Sequence, residues 1–236
     1  MDWSVLCNIV ESLRSASYQG WFAFHNYNEP LYNERLFDEI SMVRERLPLA
    51  KPCIYTNGDR LDEDTYGKLC SLGVKNIRVT LYTPALKSRN PPFSSIWQWL
   101  TQRGLERVGD WQESLARQGP ALEILDECHT QVILPDVSKY YDRGGIIAYL
   151  STQPRVKPCY LTSNSLAVDY KGNIKMCCNV VEAREEHKAF ILGNAAVDEI
   201  MSVWQSDSFE KLRKLHLRSD WTSSPICKKC RQEVEP

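Results

Sequence analysis

Short apolar runs alternate with amphipathic stretches through the first third of the chain, and that alternation leaves few architectures open. Trp21-Phe22-Ala23-Phe24, residues 52–56 (PCIYT) and residues 76–82 (NIRVTLY) have the length and composition of buried parallel strands. Helical patterns lie between them. Trp3, Leu6, Val10 and Leu13 recur at helical spacing behind Asp2, a ready N-cap. Leu36, Phe37, Ile40, Val43 and Leu47 form a second stripe, and residues 62–72 a third helix. A βα unit recurring in this way predicts an α/β fold, specifically a whole or partial TIM-like (β/α) barrel. Ligands in such folds gather at the C-terminal ends of the strands. Those ends here carry His25–Pro30, Asn57-Gly58 and Tyr82-Thr83.

The pattern is poorer from Pro84 to Cys128. Residues 90–100 and 108–125 read as helical, broken by Pro91-Pro92, with Trp97, Trp99 and Trp111 as packing residues. Residues 130–134 (TQVIL) read as another strand. A polar, proline-bearing stretch at 152–158 marks a boundary, so the expected division is 1–151, the barrel-like part, and 152–236, a cysteine-bearing region.

The charges nearly cancel, with 29 Lys and Arg against 30 Asp and Glu, so no global field favours nucleic acid. The basic run 211–218 (KLRKLHLR) reads as a solvated face near a helix C-terminus. No run of about 20 apolar residues marks a membrane span, and the N-terminus lacks the basic and apolar regions of a signal peptide. Nine cysteines without an export signal point to a reducing compartment, the cytoplasm, where clustered thiols serve as metal ligands more often than as disulfides.

The cysteines concentrate in the last third. Cys159 precedes residues 166–178 (LAVDYKGNIKMCC), which read as a β-hairpin. Val168 and Tyr170 fall in one arm, Lys171-Gly172-Asn173 in the turn, and Ile174 and Met176 in the other arm. An amphipathic helix or helix pair follows, and then Cys227-Lys228-Lys229-Cys230 presents two thiols from one turn. Cys159, Cys177, Cys227 and Cys230 make a four-thiolate set that suits either an iron–sulfur cubane or structural zinc. Cys178 is expected on the opposite side of its strand as a small buried hydrophobe.

These residues resemble a known family. Cys159, Cys177, Leu192-Gly193-Asn194, Ile200, Trp204, Ser206, Phe209, Leu212-Arg213, Pro225, Cys227 and Cys230 look like the twitch form of the SPASM region of radical SAM enzymes. The loop 24–31 (FHNYNEPL) is similar to the family's GEP stretch, with Asn28 in the glycine position and Glu29-Pro30 retained. Residues 55–58 (YTNG) and 140–145 (YYDRGG) resemble two further family stretches. The resemblance implies one auxiliary [4Fe–4S] cluster on Cys159, Cys177, Cys227 and Cys230. It implies contacts to S-adenosylmethionine (SAM) or substrate from Asn28, Glu29, Asn57 and Arg143, and a small biosynthetic substrate. In the family a first cluster cleaves SAM to a radical that takes a substrate hydrogen, and the auxiliary cluster accepts an electron.

The family binds that first cluster through CxxxCxxC, a motif that does not occur in these 236 residues. Cys7, Cys53, Cys70 and Cys128 are isolated and do not replace it. The expectation is that this chain alone does not cleave SAM, and that SAM binds only if a missing segment is supplied. Truncation, loss of the chemistry, or completion by a partner chain carrying CxxxCxxC all remain open. A non-catalytic cluster- or zinc-binding scaffold is the alternative reading.

Among single residues, Glu29 suits an ammonium group or a helix N-terminus, and His25 points from the same strand end. Arg143 suits a carboxylate or a structural ion pair. Asn57 and Gly58 form a turn first, and Thr80 and Thr83 fit strand propensity. His129, His187 and His216 show no ligand spacing and read as surface residues.

Overall fold

The computed structural model describes residues 1–80, 122–124, 128–133, 144, 146–147 and 154–230. Two compact units divide the chain, and a single cut does not separate them. One is Tyr18–Val137; the other joins Met1–Ser17 to Ser138–Pro236.

The first unit is a five-stranded mixed sheet. Strands β1 (Trp21–Ala23), β2 (Lys51–Thr56), β3 (Asn76–Thr80), β4 (Leu122–Ile124) and β5 (Thr130–Ile133) lie in the order β1-β2-β3-β5-β4. The first four in that order run parallel, while β4 pairs antiparallel to β5 at the edge. Among the described residues the sheet is open, so the architecture is α/β with a largely parallel sheet; a closed barrel is not seen. Leu122–Ile124 corrects the helical reading of that stretch. Three residues of an apolar run fit either period, and pairing to β5 decides for strand.

Helix α2 (Leu36–Arg46) follows β1 and α3 (Glu63–Ser71) follows β2, as the alternation predicts. Asp62 caps α3 by accepting from the Thr65 amide at 2.8 Å. At its other end Gly73 (φ 78°) takes the left-handed turn, with Gly73 N–H bonding Cys70 C=O and Val74 N–H bonding Leu69 C=O. That pair of bonds is a Schellman stop, which needs a residue without Cβ strain. The core gathers Leu36, Ile40, Ile54, Leu69, Ile77, Val79 and Val132. One buried polar pair crosses it. Thr130 donates to the Cys128 carbonyl, so Tyr66 must donate to Thr130 Oγ1, 3.1 Å away. Cys70 and Cys128, isolated in sequence, are paired as a disulfide with Cα atoms 5.4 Å apart.

The second unit holds an antiparallel sheet of β6 (Ala167–Val168), β7 (Asn173–Lys175) and β8 (Ile191–Asn194). The hairpin forms where the sequence placed it, with Val168 opposite Ile174. Asp169 makes the turn by accepting from the amides of Lys171 (3.0 Å) and Asn173 (3.1 Å), and Gly172 sits at φ 86°. Around the sheet lie α4 (Leu161–Asn164), α5 (Glu185–Lys188), α6 (Ile200–Trp204), α7 (Asp207–Leu217) and α8 (Pro225–Lys229). The amphipathic stretch resolves into the pair α6 and α7. Ser206 separates them and caps α7 through the Phe209 amide.

Helix α1 (Trp3–Ser15) belongs to this second unit. Asp2 caps it as expected. It buries Val5, Leu6, Ile9 and Val10, whereas Trp3, read as part of the apolar face, is 38% exposed. Asn8 donates to the Ala195 carbonyl, and the Ser12 hydroxyl bonds Glu199, the N-cap of α6. None of the described helices is long and apolar enough to cross a membrane.

Candidate metal centre

Four cysteines reach one cleft from three parts of the second unit. Cys159 lies just before α4, and its amide is held by the His216 carbonyl at the end of α7 (3.1 Å). Cys177 follows β7 in a turn closed by Val180 N–H to Cys177 C=O. The buried Lys175 ammonium fastens that turn by donating to the Val180 carbonyl at 3.0 Å. Cys227 sits in α8, started by Pro225, and Cys230 caps the helix's end. Cys159, Cys177, Cys227 and Cys230 line one small cleft together with Arg155, Met176, Asn179 and His216. Three of the thiols are buried and Cys230 is half-buried.

The electrostatics of the cleft follow from that burial. The Cys177 thiol is pushed well above its ordinary value, first by burial and then by Cys178, Cys227 and Cys230. Burial likewise pushes Cys227 up to about 12, against a hydrogen bond from Ser224 that lowers it. While bare, Cys177 and Cys227 keep their protons, and ionising both requires a cationic group beside them. Two further groups face that negative charge. Asn179 Nδ2 lies 3.8 Å from Cys230 Sγ. Arg155 is held by the carbonyls of Lys157 and Pro158 with its guanidinium in the cleft lining. An all-sulfur donor set ringed by hydrogen-bond donors and a cation fits a thiolate-held iron–sulfur group. Among the described residues no three His, Cys, Asp or Glu side chains form a ready cage for a bare metal ion.

Three sequence expectations change here. Cys178 is exposed, not packed inward. Strand β7 ends at Lys175, so side-chain alternation no longer governs a residue in the turn beyond it. His187 and His216 are each 1% exposed and not on the surface, while His129 is half-buried. His187 Nδ1 accepts from the Val181 amide at 3.1 Å. His216 is bonded by Thr162 and Ser224, and burial together with Arg155 lowers it to about 4, leaving it neutral. The missed signal was helical spacing: His216 stands four residues after Leu212 and seven after Phe209, on the buried face of α7.

At the strand ends of the first unit, Glu29 ties β1 to β2. Its carboxylate accepts from the Leu31 amide (3.2 Å), the Thr56 hydroxyl (2.5 Å) and the Asn57 amide (2.6 Å). It thereby caps the 3-10 turn Pro30–Tyr32. Asn28 and Asn57 use their side chains locally, Asn28 accepting from the Asn26 amide and Asn57 from the Asp59 amide. His25 stacks on Tyr55, with ring centroids 4.2 Å apart, and Arg78 lies 5.5 Å from the Tyr55 ring. His25 Nδ1 and Asn26 Nδ2 are buried without a hydrogen-bond partner among the described residues. Burial, then Arg78, lowers His25 to about 4. Arg143 and Thr83 lie outside the described residues.

Residues 159–231 match the SPASM family, an iron–sulfur cluster-binding domain, and this span contains all four cleft cysteines. Beyond that segment, similarity extends over nearly the whole chain to a protein described as S-adenosyl-L-methionine-dependent and to a solved structure with AdoMet bound. A curated relative is the S-adenosyl-L-methionine-dependent 2-deoxy-scyllo-inosamine dehydrogenase of Niallia circulans, 27% identical over 231 residues, 98% of this chain and 80% of that protein. Among solved structures, BtrN in complex with AdoMet and 2-DOIA is 26% identical with a TM-score of 0.73, covering 98% of this chain and 80% of BtrN. A histidine-tagged anSMEcpe with bound AdoMet shares the fold at 12% identity, with a TM-score of 0.57 over 98% of this chain and 76% of its own.

Proposed function

We propose that Cys159, Cys177, Cys227 and Cys230 hold one auxiliary [4Fe–4S] cluster in a protein of the radical SAM oxidoreductase type. The observation that carries this reading is a single cleft lined by all four thiols, within the stretch that matches the SPASM family. When bound, an all-cysteine cluster supplies electron transfer, since no iron is left open for a substrate. The chain's own residues exclude water by burying three of the thiols, and place Arg155 and Asn179 against the added negative charge.

The strand-end residues are the proposed SAM or substrate side of a partial (β/α) barrel. A carboxylate has room for roughly four hydrogen bonds. Among the described residues Glu29 uses three, so its remaining acceptor capacity there suits an ammonium donor. Asn28, Asn57 and Arg143 are proposed beside it, and a small biosynthetic alcohol or amino-alcohol is the proposed substrate, as the name of the dehydrogenase relative suggests. The cytoplasm is the proposed location.

Because CxxxCxxC does not occur in these residues, the 236-residue chain by itself is proposed not to cleave SAM. A further segment or a partner chain carrying that motif would complete the enzyme. The same absence favours a second reading, a cluster- or zinc-binding scaffold without SAM cleavage. Anaerobic reconstitution tests these readings together. Four irons and four sulfides per chain, lost when Cys177 and Cys227 are changed to Ser, are expected. A colourless protein with one zinc refutes the cluster. Deoxyadenosine formed by the chain alone refutes the dependence on a further motif.

A further inference from the structure

The strands of the first unit alternate their side chains between two faces. Ile54, Ile77, Val79 and Val132 lie on the face that α2 and α3 cover, where Leu36, Ile40, Tyr66 and Leu69 join them in the core. The register lines up a different set on the other face. Tyr55 stands opposite Arg78 and Arg78 opposite Gln131, and Glu123 holds the next register position. His25, two residues beyond Ala23 and its partner Cys53, extends the row and stacks on Tyr55 with ring centroids 4.2 Å apart. Tyr55 is 39% exposed, and Arg78 and Gln131 are half-buried. Parallel strands ordinarily bury apolar side chains on both faces. A row of this composition therefore suits a polar occupant better than it suits packing.

Arg78 is the cationic centre of the row. Its guanidinium lies 5.5 Å from the centre of the Tyr55 ring, and apart from Tyr55 no described side chain gives it a hydrogen bond or an ion pair. Glu123 lies two strand spacings away, roughly 10 Å between backbones. On the other side of Tyr55 in the row, His25 Nδ1 is buried without a hydrogen-bond partner among the described residues. Unmatched polar groups call for an explanation, and here two of them meet the same aromatic ring. A guanidinium offers five N–H donors in a fork that matches a carboxylate or a phosphate.

We propose that the row His25–Tyr55–Arg78 is a substrate platform, and that Arg78 receives an oxyanion of the substrate, a carboxylate or a phosphate ester. The alcohol that is oxidised is then one that also carries an acid group. Tyr55 and His25 offer a flat wall for its carbon frame. The inference rests on the reading of the strand ends as the ligand side. SAM presents the same chemistry through its own carboxylate, so the two sources need separate probes.

The test is a set of titrations on the full chain, read at the imidazole Cε1–H signal of His25. The chain has four histidines, so the signal is assigned by the resonance that His25→Phe removes. The probes are inorganic phosphate, acetate, methylammonium and SAM, at constant neutral pH and ionic strength. Every variant is first shown by circular dichroism to unfold cooperatively. Phosphate and acetate shift the signal saturably, and methylammonium does not. Arg78→Gln weakens phosphate binding about tenfold or more through the loss of charge-assisted hydrogen bonds, and Arg78→Lys, which keeps the charge but not the fork, weakens it less. A signal that phosphate moves equally in wild type and Arg78→Gln, or that methylammonium alone moves, overturns the anionic class and leaves the strand ends a ligand site. A shift produced by SAM and lost in Arg78→Gln, with none from phosphate, assigns the guanidinium to SAM and overturns that class likewise. A signal that no probe moves overturns the ligand-side reading, and this inference with it.

Discussion

Replacing Glu29 by Ala removes a carboxylate that joins the chain after β1 to the end of β2. Three donors lose their acceptor: the amides of Leu31 and Asn57 and the Thr56 hydroxyl. Hydrogen bonds to a charged group contribute about 1.5–3 kcal/mol each when a buried partner is left unmatched. Glu29 is only half-buried, so water replaces part of what is lost at the two amides. Thr56 is buried at 4% exposure and is the group least able to recover. Also, its hydroxyl accepts from the Gly58 amide at 3.0 Å, so the Asn57-Gly58 turn loosens with it. A total of about 3 kcal/mol is reasonable, which for a chain of this size lowers Tm by roughly 6–12 °C. Glu29→Gln keeps one acceptor oxygen but turns an amide NH2 toward donors, and should lose about half as much. The assay is thermal unfolding by circular dichroism with urea titration of each variant. A Glu29→Ala protein that melts with the wild type would show that the carboxylate is not a structural strap, and that its placement serves a ligand only.

Two more perturbations follow from single residues. His25 is lowered to about 4 in the folded chain from an ordinary value of 6.5, so between those values the unfolded state binds more protons. This contribution is complete above about pH 6.5 and falls as pH drops toward 4; His25→Phe should make that limb of a urea-midpoint profile less steep, with His216 supplying what remains, and an unchanged slope would refute the assignment. Gly172→Ala places a Cβ at φ 86°, 2.8 Å from Asn194 Oδ1 and 3.2 Å from Val5 Cγ1. Backbone strain alone costs about 1–2 kcal/mol, a Tm loss of roughly 2–8 °C, and a variant as stable as the wild type would mean that the turn relaxes.

Much of the fold is legible because it is periodic. The β1, β2, β3 and β5 segments, with α2 and α3 between them, show up as alternating short apolar runs and helical stripes, and the β6–β7 hairpin announces itself through Lys171-Gly172-Asn173. What escapes is set by partners distant in sequence. Leu122–Ile124 is a strand only because β5 lies beside it. His216 is buried only because Thr162 and Ser224 satisfy both its nitrogens. The four cysteines stood out by spacing, but the burial of Arg155 beside them and the bond between Ser224 and His216 did not, since each depends on which side chains the loops bring together. Cys178 went astray because alternation was carried past the last residue of β7.

Helix α1 packs its apolar face within the unit that holds the cleft, and its bonds from Asn8 to Ala195 and from Ser12 to Glu199 each span 187 residues. A ribosome adding about 5–20 residues per second delivers those partners roughly 10–40 seconds after the helix itself. Throughout that interval Val5, Leu6, Ile9 and Val10 have no native surface to cover them. The region around the cysteines therefore finishes folding only after synthesis reaches the far end of the chain, and iron offered to a nascent polypeptide would meet loose thiols before it met the assembled cleft.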